Sequence, residues 1–329
     1  MPSKFCIAAS SIAISTLSLM LSPASAVAET VVEKVARTGI LTAGVRFDAV
    51  PYSYIDDQGE LVGYSIDLLR LVEAQLEAEL GKEITVQMID ANTEPERIPL
   101  LTSGEVDIAC DARFTWARDR SVDFSISYSL SGTRLLTRAG SDVGEIEEMA
   151  GRNIAVFENS VSKDIISQVQ PAANLLTVSS VDAAFAALDE ERVEAIAEDT
   201  VVLGGWAAQR GGDERYQLAL EQPLDRYGVA CMMPTGNSTF RYMVDYAIAG
   251  LAQGYLDGDD RSTAIVNRWF GESGVVPLPV ESLQDFFSRV LFQRSIVPPV
   301  AAEDESAETE AAAESTPTAA PETESPTTE

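Results

Sequence analysis

The chain has 329 residues, of which 46% are hydrophobic, enough for two lobes that each have a core. Its formal net charge of −29 argues against nucleic acid and anionic membrane surfaces as partners, because both attract basic proteins. The absence of histidine removes the commonest general base and metal ligand, and the three cysteines have no metal-binding spacing. We therefore expect neither a metal nor a cofactor.

Residues 1–28 have the pattern of a cleavable secretory signal. Lys4 supplies the positive start, and an apolar stretch follows at 7–21. Two small-x-small cleavage sites overlap at 24–28. Cys6 precedes the apolar stretch, so a lipoprotein cleavage site is not supported. The alternative is an uncleaved N-terminal anchor, although the stretch is short and rich in serine for a stable membrane span.

Residues 29–131 are predicted to form the first part of one lobe. The predicted elements are a short helix at 31–37, a strand at 39–46, a helix at 68–80, a strand at 84–89 and a short helix at 95–101. Together with the strand described next, this βαβαβ order is typical of a doubly wound α/β sheet.

The stretch 104–138 combines a short strand with a charged turn. Val106, Ile108 and Cys110 alternate with polar residues, which predicts a half-buried strand. The turn at 111–120 then carries three arginines. Polar groups at the end of a strand build the ligand sites of open α/β sheets, so we expect a ligand site here. The alternative is a solvated loop.

Residues 132–226 are predicted to form the second lobe. Its elements are a strand at 151–157, a helix at 163–169, a helix at 181–188 and a strand at 193–196. Asp199 follows the last of these strands at the start of another helix, where an aspartate commonly caps the first turn. Ser160 precedes the helix at 163–169 and has the same local interpretation.

Residues 227–297 are predicted to form a further group of strands and helices. The elements are a strand at 228–233, a helix at 239–254, a helical segment at 265–270 and an extension at 277–292. Residues 298–329 are rich in Ala, Glu, Thr, Pro and Ser and contain no lysine or arginine. Such a composition cannot bury a core, so we predict an acidic disordered tail that ligand binding does not need.

Several motifs resemble those of family 3 solute-binding proteins, the periplasmic amino-acid receptors of ABC transporters. Thr115, Arg118 and the run Asp123-Phe124-Ser125 resemble the family signature. The stretch VRFDAVPYSYIDDQGELVGYSIDLL at 45–69 resembles the start of the glutamate/aspartate-binding branch. The resemblance implies a type II periplasmic binding protein fold, in which residues 227–297 return to the first lobe and two crossovers between the lobes form a hinge. It also implies a monomeric periplasmic receptor without enzymatic activity, whose partner is an inner-membrane ABC permease.

The resemblance also implies roles for individual residues. It implies that Arg118 binds the α-carboxylate of a bound amino acid and that Asp199 binds the α-ammonium. Arg46, after the first strand, matches the position that meets a side-chain carboxylate; the alternative is a surface arginine. Ser160 stands in a segment that is usually Gly-Thr-Thr in the family, and it can keep the hydroxyl contact with the ligand. Thr115 belongs to the same site as part of the signature.

This chain departs from the family pattern at Asp111 and Arg113, where small hydroxyl residues are usual. Unpaired buried charges are costly, so both should pair with each other, with the ligand or with water. Arg113 could replace a hydroxyl donor and favour an acidic ligand. Asp111 could meet an ammonium or repel a carboxylate. The branch often uses a histidine from the second lobe, which this chain lacks, so the ligand could differ from plain glutamate.

Cys110 and Cys231 are the only cysteines left after removal of the signal. In the implied fold their strands run close together beside the hinge, and the periplasm is oxidising. We therefore expect a disulfide between them. The alternative is a pair of buried free thiols packed as small hydrophobes.

The sequence thus predicts a periplasmic receptor that delivers a polar, acidic amino acid to an ABC permease. One alternative is a periplasmic dehydratase of the cyclohexadienyl or arogenate type, with a buried Asp111 as general acid. Another is a ligand sensor on the same scaffold that docks on a membrane partner.

Overall fold

The computed structural model describes residues 29–91, 94–158 and 160–294. The predicted signal at 1–28 and the predicted tail at 298–329 lie outside the described residues. Within the described ranges, no helix has the length and apolarity needed to cross a membrane. The chain folds around two large β-sheets, each at the centre of one lobe.

Lobe 1 begins with an alternation of strands and helices close to the predicted one. Its first part contains α1 (Val31–Thr38), β1 (Ile40–Val45), β2 (Asp48–Ala49), β3 (Ser53–Ile55), β4 (Leu61–Val62), α2 (Tyr64–Leu80), β5 (Thr85–Asp90), α3 (Glu94–Ser103), β6 (Ile108–Arg113), β7 (Val122–Phe124) and β8 (Ser129–Ser131). β1 pairs with β5 and β6 in parallel, whereas β2, β3 and β4 form a small antiparallel sheet.

Lobe 2 has a second sheet with helices packed against it. It contains β9 (Thr133–Arg138), β10 (Asn153–Phe157), α4 (Val161–Val169), β11 (Asn174–Val178), α5 (Val181–Asp189), β12 (Ala195–Asp199), α6 (Thr200–Gln209) and β13 (Tyr216–Ala219). The strand order is β11-β10-β12-β9-β13. β10 runs parallel to β11 and β12, whereas β9 runs antiparallel to β12 and β13.

The chain then returns to complete lobe 1. The final elements are β14 (Tyr227–Pro234), α7 (Ser238–Asp257), α8 (Asp260–Phe270) and α9 (Val280–Arg294). β14 joins the first sheet, whose order is β5-β1-β6-β14-β7 with β8 beside β14. α7 packs against α2, α8 and α9, and the rings of Tyr255 and Phe287 meet at 5.4 Å. The predicted C-terminal extension is thus a helix on the outside of lobe 1.

The two crossovers between the lobes lie side by side. The chain leaves lobe 1 after β8 and enters β9 through Gly132, and it comes back just before β14. Ser131 at the end of β8 pairs with Tyr227 at the start of β14. A Cβ atom on Gly132 would lie 2.2 Å from the carbonyl oxygen of Asp225, so only glycine allows this close approach.

Local signals fix most helix ends. Thr30 and Glu33 form a capping box before α1, and Gly39 with φ of 75° ends that helix. The side chain of Ser160 accepts a hydrogen bond from the Lys163 amide at the start of α4. Asp199 caps α6 in the same manner. The local N-cap interpretation of Ser160 and Asp199 is therefore what the structure shows, whatever else they bind.

The predicted charged turn at 111–120 begins later than expected. Asp111 and Arg113 belong to β6, because β14 supplies pairing partners and places Val229 opposite Arg113. The pairing register shifts between Ala230 and Met232, which makes a bulge. Asp111 occupies the bulge with a φ of 52°. The expected turn was wrong here because the partner strand comes from a distant part of the chain.

A disulfide joins Cys110 and Cys231 at this bulge. Both cysteines are buried in the sheet of lobe 1. Their sequence separation of 121 residues encloses the whole of lobe 2. Because both strands belong to the same sheet, the bond does not connect one lobe with the other.

Candidate functional site

A cavity lies between the two lobes beside the crossovers. Both lobes and the returning strand β14 contribute to it. The lobe 1 residues are Arg46, Ala49, Tyr52, Asp111 and Arg113, and β14 adds Tyr227 and Val229. The lobe 2 residues are Ser160, Val161, Ser162, Glu198, Asp199 and Val202. The lining therefore carries charged groups of both signs.

Arg113 lines this cavity and carries a buried donor without a partner. Its side chain is only 7% exposed. One guanidinium nitrogen, Nη2, donates to Thr133 Oγ1 at 2.6 Å and lies 3.3 Å from Asp225 Oδ1. The other, Nη1, is buried without a hydrogen-bond partner. The guanidinium carbon lies 3.5 Å from the centre of the Tyr227 ring. An acceptor on a ligand would satisfy Nη1, since a buried donor without a partner is costly.

Arg46 adds a second positive charge, held by a neighbouring carboxylate. Its Nε and Nη2 atoms lie 2.9 and 2.8 Å from Asp48 Oδ1. Burial by itself lowers the pKa of Arg46, but the carboxylates of Asp48, Asp111 and Glu198 outweigh it and raise that pKa above its ordinary value. The guanidinium thus stays charged inside the cavity, where it can face an anionic group.

Asp199 is a buried carboxylate at the lobe 2 side of the cavity. Its Oδ1 atom accepts hydrogen bonds from the amides of Val201 and Val202 at 2.8 and 3.0 Å. Its Oδ2 atom accepts from the hydroxyl of Tyr227, which crosses over from β14. Burial raises the pKa of Asp199, although these hydrogen bonds and Arg113 act in the opposite direction. A cationic group on a ligand would favour its charged form.

Asp111 does not pair with Arg113 as one expectation had it. Its Oδ1 atom forms an ion pair with Arg97 of α3, which is fully buried, and its Oδ2 atom accepts from Ser53 Oγ at 2.6 Å. The backbone amide of Asp111 donates to the Tyr128 hydroxyl at 2.7 Å. Asp111 therefore lines the cavity with its negative charge balanced by Arg97. Among the residues that the structure describes, no cluster of acidic or cysteine side chains is arranged to hold a metal ion.

Ser160 brings the beginning of α4 to the cavity. Its hydroxyl accepts from the Lys163 amide at 3.2 Å, and Val161 and Ser162 line the cavity beside it. The first amides of a helix attract anions, so this end of α4 adds to the positive side of the site. Val161 offers no hydroxyl.

Arg118 and Thr115 lie outside the residues that line the cavity. The Nη1 atom of Arg118 donates to the carbonyl oxygen of Arg113 at 3.1 Å. Thr115 Oγ1 accepts from the amide of Arg118 at 3.2 Å. The structure thus brings Arg46, Arg113, Asp111, Ser160 and Asp199 together. It keeps the two signature residues behind Arg113.

Sequence reasoning missed four polar residues of the lining, Tyr52, Ser162, Glu198 and Tyr227. Tyr52 is buried, and its hydroxyl lies 3.0 Å from Ser129 Oγ. Glu198 directly precedes Asp199 at the end of a strand, and this position could have suggested it. No local pattern marks Tyr227, because its role depends on Arg113 and Asp199 from distant segments.

Comparison with known proteins gives consistent matches in sequence. The sequence profile of the bacterial extracellular solute-binding proteins, family 3, matches residues 41–272. The glutamate/aspartate import solute-binding protein of Salmonella typhimurium is 26% identical over 257 residues, which covers 76% of this chain and 82% of that protein. The L-glutamate/L-aspartate-binding protein of Pseudomonas aeruginosa is 28% identical over 259 residues, with the same coverage of 76% and 82%.

Solved structures match the fold at lower identity. A mutant of ArgBP from T. maritima has a TM-score of 0.64 and 18% identity, and the match covers 74% of this chain and 100% of that one. An ancestral amino-acid-binding protein, a precursor of cyclohexadienyl dehydratase, has a TM-score of 0.60 and 20% identity over 73% and 99% of the two chains. At this identity the likeness shows the fold alone, which is the two-lobed fold expected from the sequence.

Proposed function

Because this chain belongs to the bacterial extracellular solute-binding proteins of family 3, we propose that it is a periplasmic receptor that binds a polar, acidic amino acid and delivers it to an inner-membrane ABC permease. The observation that supports this most is the charge arrangement of the cavity. Arg113 offers a buried donor without a partner, and Arg46 adds a second cation. Asp199 supplies the buried carboxylate that an α-ammonium needs.

In the proposed complex, lobe 1 and lobe 2 each hold one end of the ligand. Arg113 and Arg46 take the two carboxylates from the lobe 1 side, and Asp199 takes the ammonium from lobe 2. Asp111 stays paired with Arg97 and does not oppose an anionic ligand. Ser160 and the start of α4 add donors from lobe 2. A ligand that touches both lobes favours the closed arrangement over the open one.

Calorimetry against the amino acids tests the receptor function. The mature protein should first be unfolded and refolded, so that any ligand carried through purification is removed. We expect binding of L-glutamate, L-aspartate or a related polar amino acid, and mass spectrometry of the native preparation should find the same molecule. No heat of binding with any amino acid would reject the proposal.

The roles of Arg113 and Arg118 can be separated with two variants. We expect Arg113→Ala to weaken binding by at least about tenfold, since removing one partner of a desolvated charge pair costs about 2–5 kcal/mol. The resemblance predicts a similar loss for Arg118→Ala, whereas a supporting role behind Arg113 predicts a smaller one. Thermal unfolding of both variants provides the control. If Arg113→Ala leaves affinity unchanged and Arg118→Ala lowers it strongly, Arg118 is the residue that binds the ligand carboxylate.

The cavity gives the dehydratase alternative little support. The proposed general acid, Asp111, is ion-paired with Arg97 and hydrogen-bonded to Ser53. Both of its carboxylate oxygens are therefore engaged by partners within the protein. The two sequence relatives described above are named as a glutamate/aspartate import solute-binding protein and an L-glutamate/L-aspartate-binding protein. Turnover of prephenate or arogenate by the purified protein would favour the enzyme instead.

A further inference from the structure

The Arg113 side chain, which lines the cavity, forms hydrogen bonds at both crossovers. Its Nη2 atom donates to Thr133 Oγ1 at 2.6 Å, and Thr133 is the first residue of β9, directly after the first crossover. The same nitrogen lies 3.3 Å from Asp225 Oδ1, and Asp225 stands two positions before β14 on the second crossover.

Asp225 also joins the two crossovers to each other. Its Oδ1 atom accepts from the Thr133 amide at 2.9 Å in addition to Arg113. The carbonyl oxygen of Asp225 packs against Gly132, where any side chain would collide with it. One carboxylate oxygen thus holds a lobe 1 guanidinium and the entry into lobe 2 at the same point.

A second contact leads from Arg113 into lobe 2. Its guanidinium lies over the ring of Tyr227, 3.5 Å from the ring centre. The Tyr227 hydroxyl in turn donates to Asp199, the buried acid of lobe 2. Arg113 therefore contacts Thr133, Asp225 and Tyr227, and all three belong to the crossovers or their immediate continuation.

These contacts do not involve the Nη1 atom of Arg113. Nη1 is buried without a partner, on a side chain that is 7% exposed and lines the cavity. The orientation of the guanidinium plane is fixed by Nη2 and by the Tyr227 ring, so the direction of Nη1 is fixed as well. If the crossovers move when the lobes open, the contacts that orient Nη1 change with them.

We propose that Asp225 and Thr133 are positioning residues that make Arg113 a hinge-linked ligand donor. Arg113 presents Nη1 to a ligand carboxylate only in the lobe arrangement in which both crossovers hold Nη2. Ligand affinity and lobe closure are therefore coupled through this one side chain. The inference rests on the proposed function, because it assumes an amino-acid ligand in the cavity.

A double-mutant cycle tests the coupling. The probe is whichever of the twenty standard L-amino acids binds the mature protein most tightly by calorimetry. Asp225→Asn should weaken its binding by about tenfold, which is within the usual range for coupled sites. In an Arg113→Ala background the same Asp225→Asn change should alter affinity less than about twofold, because the group that it positions is gone.

Matched variants separate positioning from folding. Asp142→Asn removes an exposed acid paired with Arg152 in lobe 2 and should bind like the wild type. Thr133→Val removes only the hydroxyl and should weaken binding. Thr133→Ser keeps the hydroxyl and should bind like the wild type. This pair keeps the test valid if Asp225→Asn does not fold. X-ray scattering should show that the Asp225→Asn protein needs more ligand than the wild type to become compact.

The outcomes distinguish the inference from the function. If wild-type protein binds an amino acid but Asp225→Asn and Thr133→Val bind equally well, the inference is wrong and the receptor function stands. An equal loss from Asp225→Asn in both backgrounds would show a purely structural role and would also overturn it. If no amino acid binds the wild type, the proposed function fails and the inference fails with it.

Discussion

At the scale of single residues, Asp199 has both a structural and a ligand-facing role. Its Oδ1 atom caps α6 through the amides of Val201 and Val202, and its Oδ2 atom accepts from Tyr227. Burial raises its pKa above the ordinary value of 3.8. In the ligand-free protein, the folded state therefore holds its proton to a higher pH than the unfolded chain. This carboxylate consequently makes the free protein less stable as pH rises through that window.

Amino-acid binding should depend on pH through this group. An α-ammonium favours the ionised form of Asp199, so affinity should fall as pH is lowered through its raised pKa. Calorimetry between about pH 4 and pH 7.5 measures this, since a bound cation shifts the equilibrium toward the carboxylate. Asp199→Asn should bind amino acids weakly and lose this limb of the profile, while Asp142→Asn should keep it. Full affinity in Asp199→Asn would contradict the ammonium role.

At the scale of elements, α6 makes a direct contact between the lobes that does not involve a ligand. The Trp206 indole nitrogen donates to the carbonyl oxygen of Asp48 in β2 at 2.6 Å. A Cβ atom on Gly205 would lie 2.5 Å from the carbonyl oxygen of Val50. Glycine inside a helix costs roughly 0.5–1 kcal/mol relative to alanine, so its presence here fits a need for close approach. Helix α6 thus carries both the Asp199 cap and the lobe contact.

Gly205→Ala should hinder closure without unfolding either lobe. The added methyl group collides with backbone, which cannot move aside as a flexible side chain could. We expect ligand affinity to fall by about tenfold or more, as for other coupled sites, and scattering to show a more open protein at saturating ligand. Gly250→Ala in α7 is the matched control, because its Cβ atom would meet nothing within 4 Å. Normal affinity and compaction in Gly205→Ala would show that the lobes close differently.

At the scale of the whole molecule, each lobe has its own sheet, and the disulfide lies within the sheet of lobe 1. The Cys110–Cys231 disulfide connects β6 with β14 inside lobe 1 and encloses lobe 2 as a loop. Lobe 2 can therefore rotate about the crossovers while the bond stays intact. The predicted family membership and two-lobed α/β fold are confirmed by the profile match over 41–272 and by the solved structures.

The disulfide should stabilise the molecule through the long loop that it closes. Thiol titration of the denatured, unreduced mature protein should find no free thiol. The double variant Cys110→Ala, Cys231→Ala should lose about 2–5 kcal/mol of unfolding free energy in denaturant titration, as is typical for a native bridge. Reduced wild-type protein is the control and should match the variant. Two free thiols in the unreduced protein would contradict the bond.

Features that depend on neighbouring residues in the chain could be predicted from the sequence alone. The βα alternation gave the class of fold because strand and helix periods are visible within single segments. Ser160 and Asp199 could be identified as helix caps since a cap and its amides are neighbours in the chain. The signature around Arg118 likewise indicated the family without any structure.

The pairing of the charged side chains in the site could not be predicted from the sequence, because their partners lie far away in the chain. Arg113 meets Asp225 across 112 positions of sequence, and Arg118 turns back to the carbonyl of Arg113. Asp111 is neutralised by Arg97 because α3 packs on the end of β6. Whether a buried charge is free for a ligand depends on such distant partners, and the energy of burying it depends on all of them together. No local pattern records either quantity, so the cavity chemistry emerges only once both lobes and their crossovers are in place.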